Sequence, residues 1–191
     1  MKELIEYIAK STALSEDIIN ELEAIAIEKN VEKGEVILHK NTSRKLQIFV
    51  ASGCIRAFYK AENGKDHTLQ FATKNWWISD YMTLFNNQKS ILSIESLSHS
   101  KLVIMEQSQL EGLYYKFPEF GLINRMNLQN RIAALQNRIF GLLTLNAKEK
   151  YEKFLKEYEV FEKVIPNYQI ASFLGITPES LSRVRKEISN A

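Results

Sequence analysis

A single cysteine in 191 residues removes several classes of protein at the outset. Cys54 has no partner for an intramolecular disulfide and cannot by itself build a zinc or iron–sulfur site, so a reducing, cytoplasmic compartment is expected. It lies in an apolar run and reads as a small buried side chain, not a redox sensor. Long hydrophobic runs are missing too. None approaches the roughly 18 residues needed to span a bilayer, and Met1-Lys-Glu-Leu-Ile-Glu-Tyr7 places acids where a signal peptide needs apolar residues. No membrane contact is expected. There is also little excess charge: 25 Lys and Arg stand against 23 Asp and Glu, for a net charge of +2, so any polyanion must be met by locally placed cations. No phosphate-binding loop, Ser/His/Asp set, paired carboxylates or metal-ligand spacing stands out, and His39, His67 and His99 are scattered. The chain is therefore not expected to be an enzyme or to bind a metal.

What is present is globular. Hydrophobic residues make up 45% and charged residues 25%, with ten Phe, eight Tyr and two Trp available for a core; two domains are the better expectation for this length. Glu3 to about Lys29 carries helix-period apolar residues, interrupted near Ser11–Ser15. From Val31 short β-branched and aromatic runs follow: Glu35–His39, Gln47–Val50, Cys54–Lys60, His67–Ala72, Ile91–Ile94 and Lys101–Met105. The Asn63-Gly64 pair predicts a tight type I′ hairpin, and Gly34 and Gly53 mark further turns. A small antiparallel β-sandwich or jelly-roll is the expected result.

Ser108 with Glu111 predicts a capping box, and Phe117-Pro118 starts a new helix. In that helix Leu128, Ile132, Leu135, Ile139 and Leu142 repeat in steps of four and three, the a/d seam of a coiled coil, which predicts dimerisation. Ile123, Met126, Phe140 and Leu143 predict that part of the helix also packs on its own domain. Asn146 with Glu149 opens a further helix through Tyr158.

The last segment is the most specific. Ile170, Ala171, Phe173 and Leu174 form the apolar face of one short helix, and Gly175 offers the positive φ of a turn. Thr177 as N-cap, Pro178 at the first helical position and Glu179 in the first turn begin a second. At about 100° per residue Leu181, Val184 and Ile188 face inward. Glu179, Ser182, Arg183, Lys186 and Asn190 face outward, with Ser180 at the edge, a set able to donate to guanine, accept from cytosine and reach phosphates. This is the pattern of a DNA-reading helix-turn-helix, with Arg183 for guanine, Glu179 for cytosine or for orienting Arg183, Lys186 and Ser182 for nearby bases or phosphates, and Tyr168, Gln169 and Thr177 positioning the backbone.

In this order, the elements resemble the Crp/Fnr family of bacterial transcription regulators, and Asn146–Tyr151 with Val164–Lys186 looks like the branch common in Bacteroidetes. The resemblance implies an α+β chain: a cyclic-nucleotide-binding-like sensor domain over 1–117, a dimerisation helix over 118–145 and a helix-turn-helix domain over 146–191. It implies a homodimer on near-palindromic double-stranded DNA, with RNA polymerase and an unidentified small effector as further partners. Ligand-binding members hold a cyclic phosphate through a Gly-Glu-Leu start and an Arg-Ser or Arg-Thr pair. The corresponding stretch, Trp76–Ile91, has Asp80 near the acidic position and Lys89-Ser90 in place of the arginine pair. Lysine lacks the bidentate fork and no glycine opens the helix end, which argues against cyclic AMP, although Asp80, Lys89 and Ser90 remain the candidate effector residues. Neither haem nor an iron–sulfur cluster is expected. The alternative is a small-molecule sensor or scaffold whose C-terminal helices bind protein.

Overall fold

A computed structural model describes residues 1–189; Asn190, assigned above to the outward face of the last helix, lies outside the described residues. Two short helices open the chain, α1 (Lys2–Ala9) and α2 (Glu16–Ile25), and Ser15 caps α2 by accepting from the Ile18 N–H at 3.3 Å. The helical lead-in stops sooner than its sequence pattern. Ala26 is extended, and strand β1 (Ile27–Val31) follows. Its first four side chains are all exposed, so no alternation announces it; backbone pairing decides it.

The remaining strands are β2 (Val36–Leu38), β3 (Leu46–Ser52), β4 (Cys54–Lys60), β5 (Asp66–Thr73), β6 (Trp77–Ile78), β7 (Ser93–Ser96) and β8 (Ser100–Glu106). They form two antiparallel four-stranded sheets, in the orders β1-β8-β3-β6 and β2-β7-β4-β5. Ile48 and Val50 of β3 point into the space between the sheets with Ile55, Ala72 and Leu102. Phe49 and Ala51, one residue out of phase, point to the other face, where they pack under Leu4, Ile8, Leu22, Leu110 and Phe120. A stretch covered on both faces must be apolar at successive positions, which explains the unbroken hydrophobic run over residues 48–51.

The β4–β5 turn is not the type I′ expected. Gly64 has φ +80, but Asn63 keeps a negative φ, and the bonds Gly64 N–H to Ala61 O and Ala61 N–H to Lys65 O, both 2.9 Å, describe a three-residue loop ending in a left-handed glycine. The Ser108–Glu111 capping box does not form either. β8 keeps pairing as far as Glu106, and the Gln107 N–H is taken by Lys45 O at 2.8 Å, so α4 (Gln107–Lys116) begins one residue before Ser108. Glu111 instead accepts from the Gln107 side chain at 2.9 Å.

After α3 (Tyr81–Asn86) and α4 come α5 (Pro118–Thr144), α6 (Ala147–Glu162), α7 (Asn167–Leu174) and α8 (Pro178–Ser189). Pro118 stands at the first position of α5, where it lacks only an N–H that has no helical acceptor. The Asn146–Glu149 capping box of α6 is complete, with bonds of 3.0 and 2.8 Å. No helix among the described residues is long and apolar enough to cross a membrane.

Candidate nucleic-acid interface

The turn between α7 and α8 is built by backbone geometry. Gly175 adopts φ +65, its N–H bonds to Ser172 O and the Ile176 N–H to Ala171 O, the paired bonds of a Schellman cap. Thr177 then accepts from the Ser180 N–H at 3.2 Å and starts α8. Leu181 and Val184 are buried on the inner side of α8, against Ile170 and Leu174 of α7 and Tyr151 and Phe154 of α6.

Arg185 belongs to this inner side. It lies only about 40° from Leu181 on the helical wheel, and its guanidinium reaches the Tyr151 hydroxyl at 3.0 Å, Glu162 at 2.5 Å and the Asn167 side chain. Tyr151 donates to the same Glu162 oxygen at 2.8 Å. This network ties all three C-terminal helices together. Its angle on the wheel is the signal that should have separated Arg185 from its neighbours.

On the opposite side Glu179, Ser182, Arg183 and Lys186 are exposed and Ser180 is half-buried at the edge. The backbone N–H at Glu179 and the Thr177 hydroxyl hold the Glu179 carboxyl below the usual carboxylate range, so it is ionised at the helix N-terminus. Tyr168 is exposed as well. Gln169 is not: it is 3% exposed, its amide donates to the Tyr168 hydroxyl at 3.1 Å, and its carbonyl oxygen is buried without a partner. The expectation that Gln169 positions a phosphate fails on this arrangement, because its place on α7 faces the interior. It supports Tyr168 instead.

The helix pair does not stand alone. Ser172 of α7 accepts from the Thr68 N–H at 2.9 Å and donates to Asp66 O at 3.0 Å, closing α7 onto the free edge of β5. Arg138 of α5 bridges the same joint by donating to Thr68 O and Phe173 O at 3.3 and 3.0 Å. Phe173 packs 5.0 Å from Phe71 of β5, which also meets Phe154 and Tyr158. One apolar cluster therefore runs from Cys54 and Phe71 of the sandwich into the helix-turn-helix. Burial pushes the Cys54 thiol up to about 12.

The seam of α5 divides into two columns. Ile132 and Ile139 are 65% and 56% exposed, whereas Leu128, Leu135 and Leu142 turn toward cavities of their own chain, and Leu142 approaches the turn at Gly175. Ile123 packs on the sandwich side as expected. Met126, Phe140 and Leu143 do not; they are 46%, 61% and 80% exposed, since they point away from the side of α5 that carries Arg131 and Arg138 and faces the sandwich.

The candidate effector residues do not gather at an opening. Asp80 is buried, caps α3 by accepting from the Met82 and Thr83 N–H groups at 3.0 and 3.4 Å, and accepts from the Ser90 hydroxyl at 2.7 Å. Ser90 is fully buried and Lys89 is exposed. These contacts give Asp80 and Ser90 a structural task. A cavity of about 410 Å³ does lie between the sandwich and the first half of α5, but Trp77, Tyr81, Asn127 and Arg131 line it, and none of those three residues does.

A β-sandwich, a long connecting helix and a terminal helix-turn-helix define the architecture of the chain. Residues 28–116 match the family model of the cyclic nucleotide-binding domain. The chain is 24% identical to the transcriptional regulator flp of Lacticaseibacillus casei over 177 residues, which cover 88% of this chain and 78% of that protein. It superposes on FixK2 of Bradyrhizobium japonicum with a TM-score of 0.75 at 17% identity, over 87% of this chain and 85% of that one. A transcriptional regulator of the Crp/Fnr family from Eubacterium rectale gives a TM-score of 0.70 at 18% identity, over 92% and 84% of the two chains. Residues 28–116 are thus similar to the cyclic nucleotide-binding domain, and the chain as a whole shares the fold of these Crp/Fnr-type regulators.

Proposed function

We propose that the protein is a homodimeric, sequence-specific DNA-binding transcription regulator, with 1–117 as its sensor, 118–145 as its dimerisation helix and 146–191 as its reading domain. The observation that carries this reading is the two-sidedness of α8. Leu181, Val184 and Arg185 fasten one side to α6 and α7, while Glu179, Ser182, Arg183 and Lys186 stand free on the other. In the reading proposed, Arg183 takes guanine, Glu179 takes cytosine or orients Arg183, and Lys186, Ser182 and Ser180 meet neighbouring bases or phosphates. Tyr168 and Thr177 position the backbone.

The exposed column of Ile132 and Ile139, continued by Leu143, supports a second copy of the chain across α5. Two copies related by a two-fold axis present two recognition helices to successive major grooves roughly 34 Å apart, so the operator is near-palindromic. An effector that binds the sensor acts only through unequal affinity for two packings of this assembly. The location is cytoplasmic in this reading, and no catalytic step is assigned.

Selection of bound sequences from a random DNA pool, with wild-type protein and with Arg183→Ala, tests the proposal. A two-fold-symmetric motif that is lost on substitution is expected. Equal recovery of unrelated sequences by both proteins overturns it in favour of a scaffold whose C-terminal helices bind protein.

A further inference from the structure

A second cavity, of about 320 Å³, lies where β5, α5, α6 and α7 meet. Its size falls at the lower end of the ~300–1,000 Å³ usual for small-molecule sites. Leu69, Trp76, Leu135, Phe154 and Phe173 give it apolar walls. Its charge comes from α5, where Arg131 and Arg138 stand seven residues, two helical turns, apart on one side.

Neither guanidinium is neutralised. Among the described residues Arg138 bonds only to the Thr68 and Phe173 carbonyls; it lies 4.5 Å over the Phe173 ring, and its Nε is buried without a partner. Arg131 contributes a second buried Nε with no partner, and its guanidinium lies 5.7 Å from the Tyr81 ring centre. Among the described residues no carboxylate pairs with either. Burial lowers both arginine pKa values. An uncompensated, partly desolvated cation is costly, and two of them on one cavity are a standing demand for an anion.

A second copy of α5 cannot meet that demand. Between Glu119 and Glu149 the sequence contains no acidic residue, so the partner's seam carries no counter-charge at the level of either arginine. Lys150 and Lys153 also line the cavity, against the single acid Glu157.

We propose that this cavity binds a small organic carboxylate with an apolar or aromatic body, its carboxylate held by Arg131 and Arg138. Planar guanidinium groups match a carboxylate bidentately. A single negative charge fits better than a phosphate dianion, because Glu157 shares the space and the other walls are largely apolar. The ligand touches β5, α5 and α7 together, so it bears on the joint that Ser172 and Arg138 close. Its regulatory meaning rests on the proposed DNA-binding function; its binding does not.

The test uses the full-length protein without DNA. Phenylacetate, benzoate and octanoate are titrated against the combined fluorescence of Trp76 and Trp77 and by calorimetry, beside phenylethanol, benzyl alcohol and octanol. Saturable uptake of at least one acid and of none of the alcohols is expected, weakened about tenfold or more by Arg131→Gln or Arg138→Gln, the loss of a charge-assisted hydrogen bond. Arg138→Gln also loosens the joint, so Arg131→Gln, with an unchanged melting temperature, is the decisive variant. Absence of uptake for all three acids, equal uptake of an alcohol, or unchanged affinity in Arg131→Gln overturns the site. A protein that selects an operator but takes up no acid refutes this site alone, and one that takes up an acid but selects no DNA refutes the regulator alone.

Discussion

Arg183 and Arg185 stand two residues apart on one helix and carry the same charge, yet their surroundings assign them opposite tasks. Arg183 is exposed and makes no hydrogen bond or ion pair among the described residues. Arg185 is 24% exposed, pairs with a Glu162 that is 16% exposed, and adds bonds to Tyr151 and Asn167. Fully exposed pairs contribute about 0–1 kcal/mol, whereas removing one partner of a buried pair costs about 3–5 kcal/mol. With exposures between those limits, Arg185→Ala should cost about 2–3 kcal/mol, because Glu162 loses its cation while still largely covered. For a chain of this length that lowers the melting temperature by about 4–12 °C. Arg183→Ala should stay within about 0.5 kcal/mol of wild type in stability. On DNA the expectation reverses: Arg183→Ala loses about 1–3 kcal/mol of base recognition in each half-site, hence about 2–6 kcal/mol for the dimer, a fall of roughly thirtyfold to ten-thousandfold in operator affinity. Arg185→Ala, measured well below its melting point, keeps the same base preference. Calorimetric melting and titration of the selected operator read the two effects independently. A melting temperature lowered equally by both substitutions, or an operator affinity unaffected by Arg183→Ala, would refute the assignment of the two faces.

Three further outcomes follow from single features. Ile132→Asp with Ile139→Asp should convert a dimer to a folded monomer, seen as halved mass in sedimentation with unchanged circular dichroism, since both side chains are more than half exposed in one copy; a variant that stays dimeric removes α5 as the interface. Gly175→Ala should lower stability by about 1–2 kcal/mol in denaturant titration, because φ +65 disfavours a Cβ that would also stand 3.2 Å from Leu142; an unshifted midpoint would mean that the turn is remade at no cost. Cys54 should resist iodoacetamide at neutral pH in the native state and react on unfolding, as its thiol is buried and titrates near 12; mass spectrometry of rapidly alkylated native protein would contradict this.

The elements whose signals are local were legible in the chain. The Asn146–Glu149 box, the Gly175 turn, the Thr177 cap and the run from Cys54 to Lys60 each carry their cause within a few residues, and each appears where those residues place it. Local signals misled where a distant segment held the deciding bond. β1 exists because β8 pairs with it, and the box at Ser108 fails because Lys45 takes the Gln107 N–H.

For the candidate reading face, helical periodicity alone separated Leu181 and Val184 from Glu179, Arg183 and Lys186, because an angle on one helix is a property of the sequence. Which polar residues on the inner side find partners is not. Arg185 meeting Glu162, Gln169 turning inward, Ser172 closing on Thr68 and Asp66 locking to Ser90 all join segments brought together only when the chain folds. Periodicity along one element is written residue by residue, whereas a hydrogen bond between elements depends on their separation and angle, and those quantities belong to the packed whole.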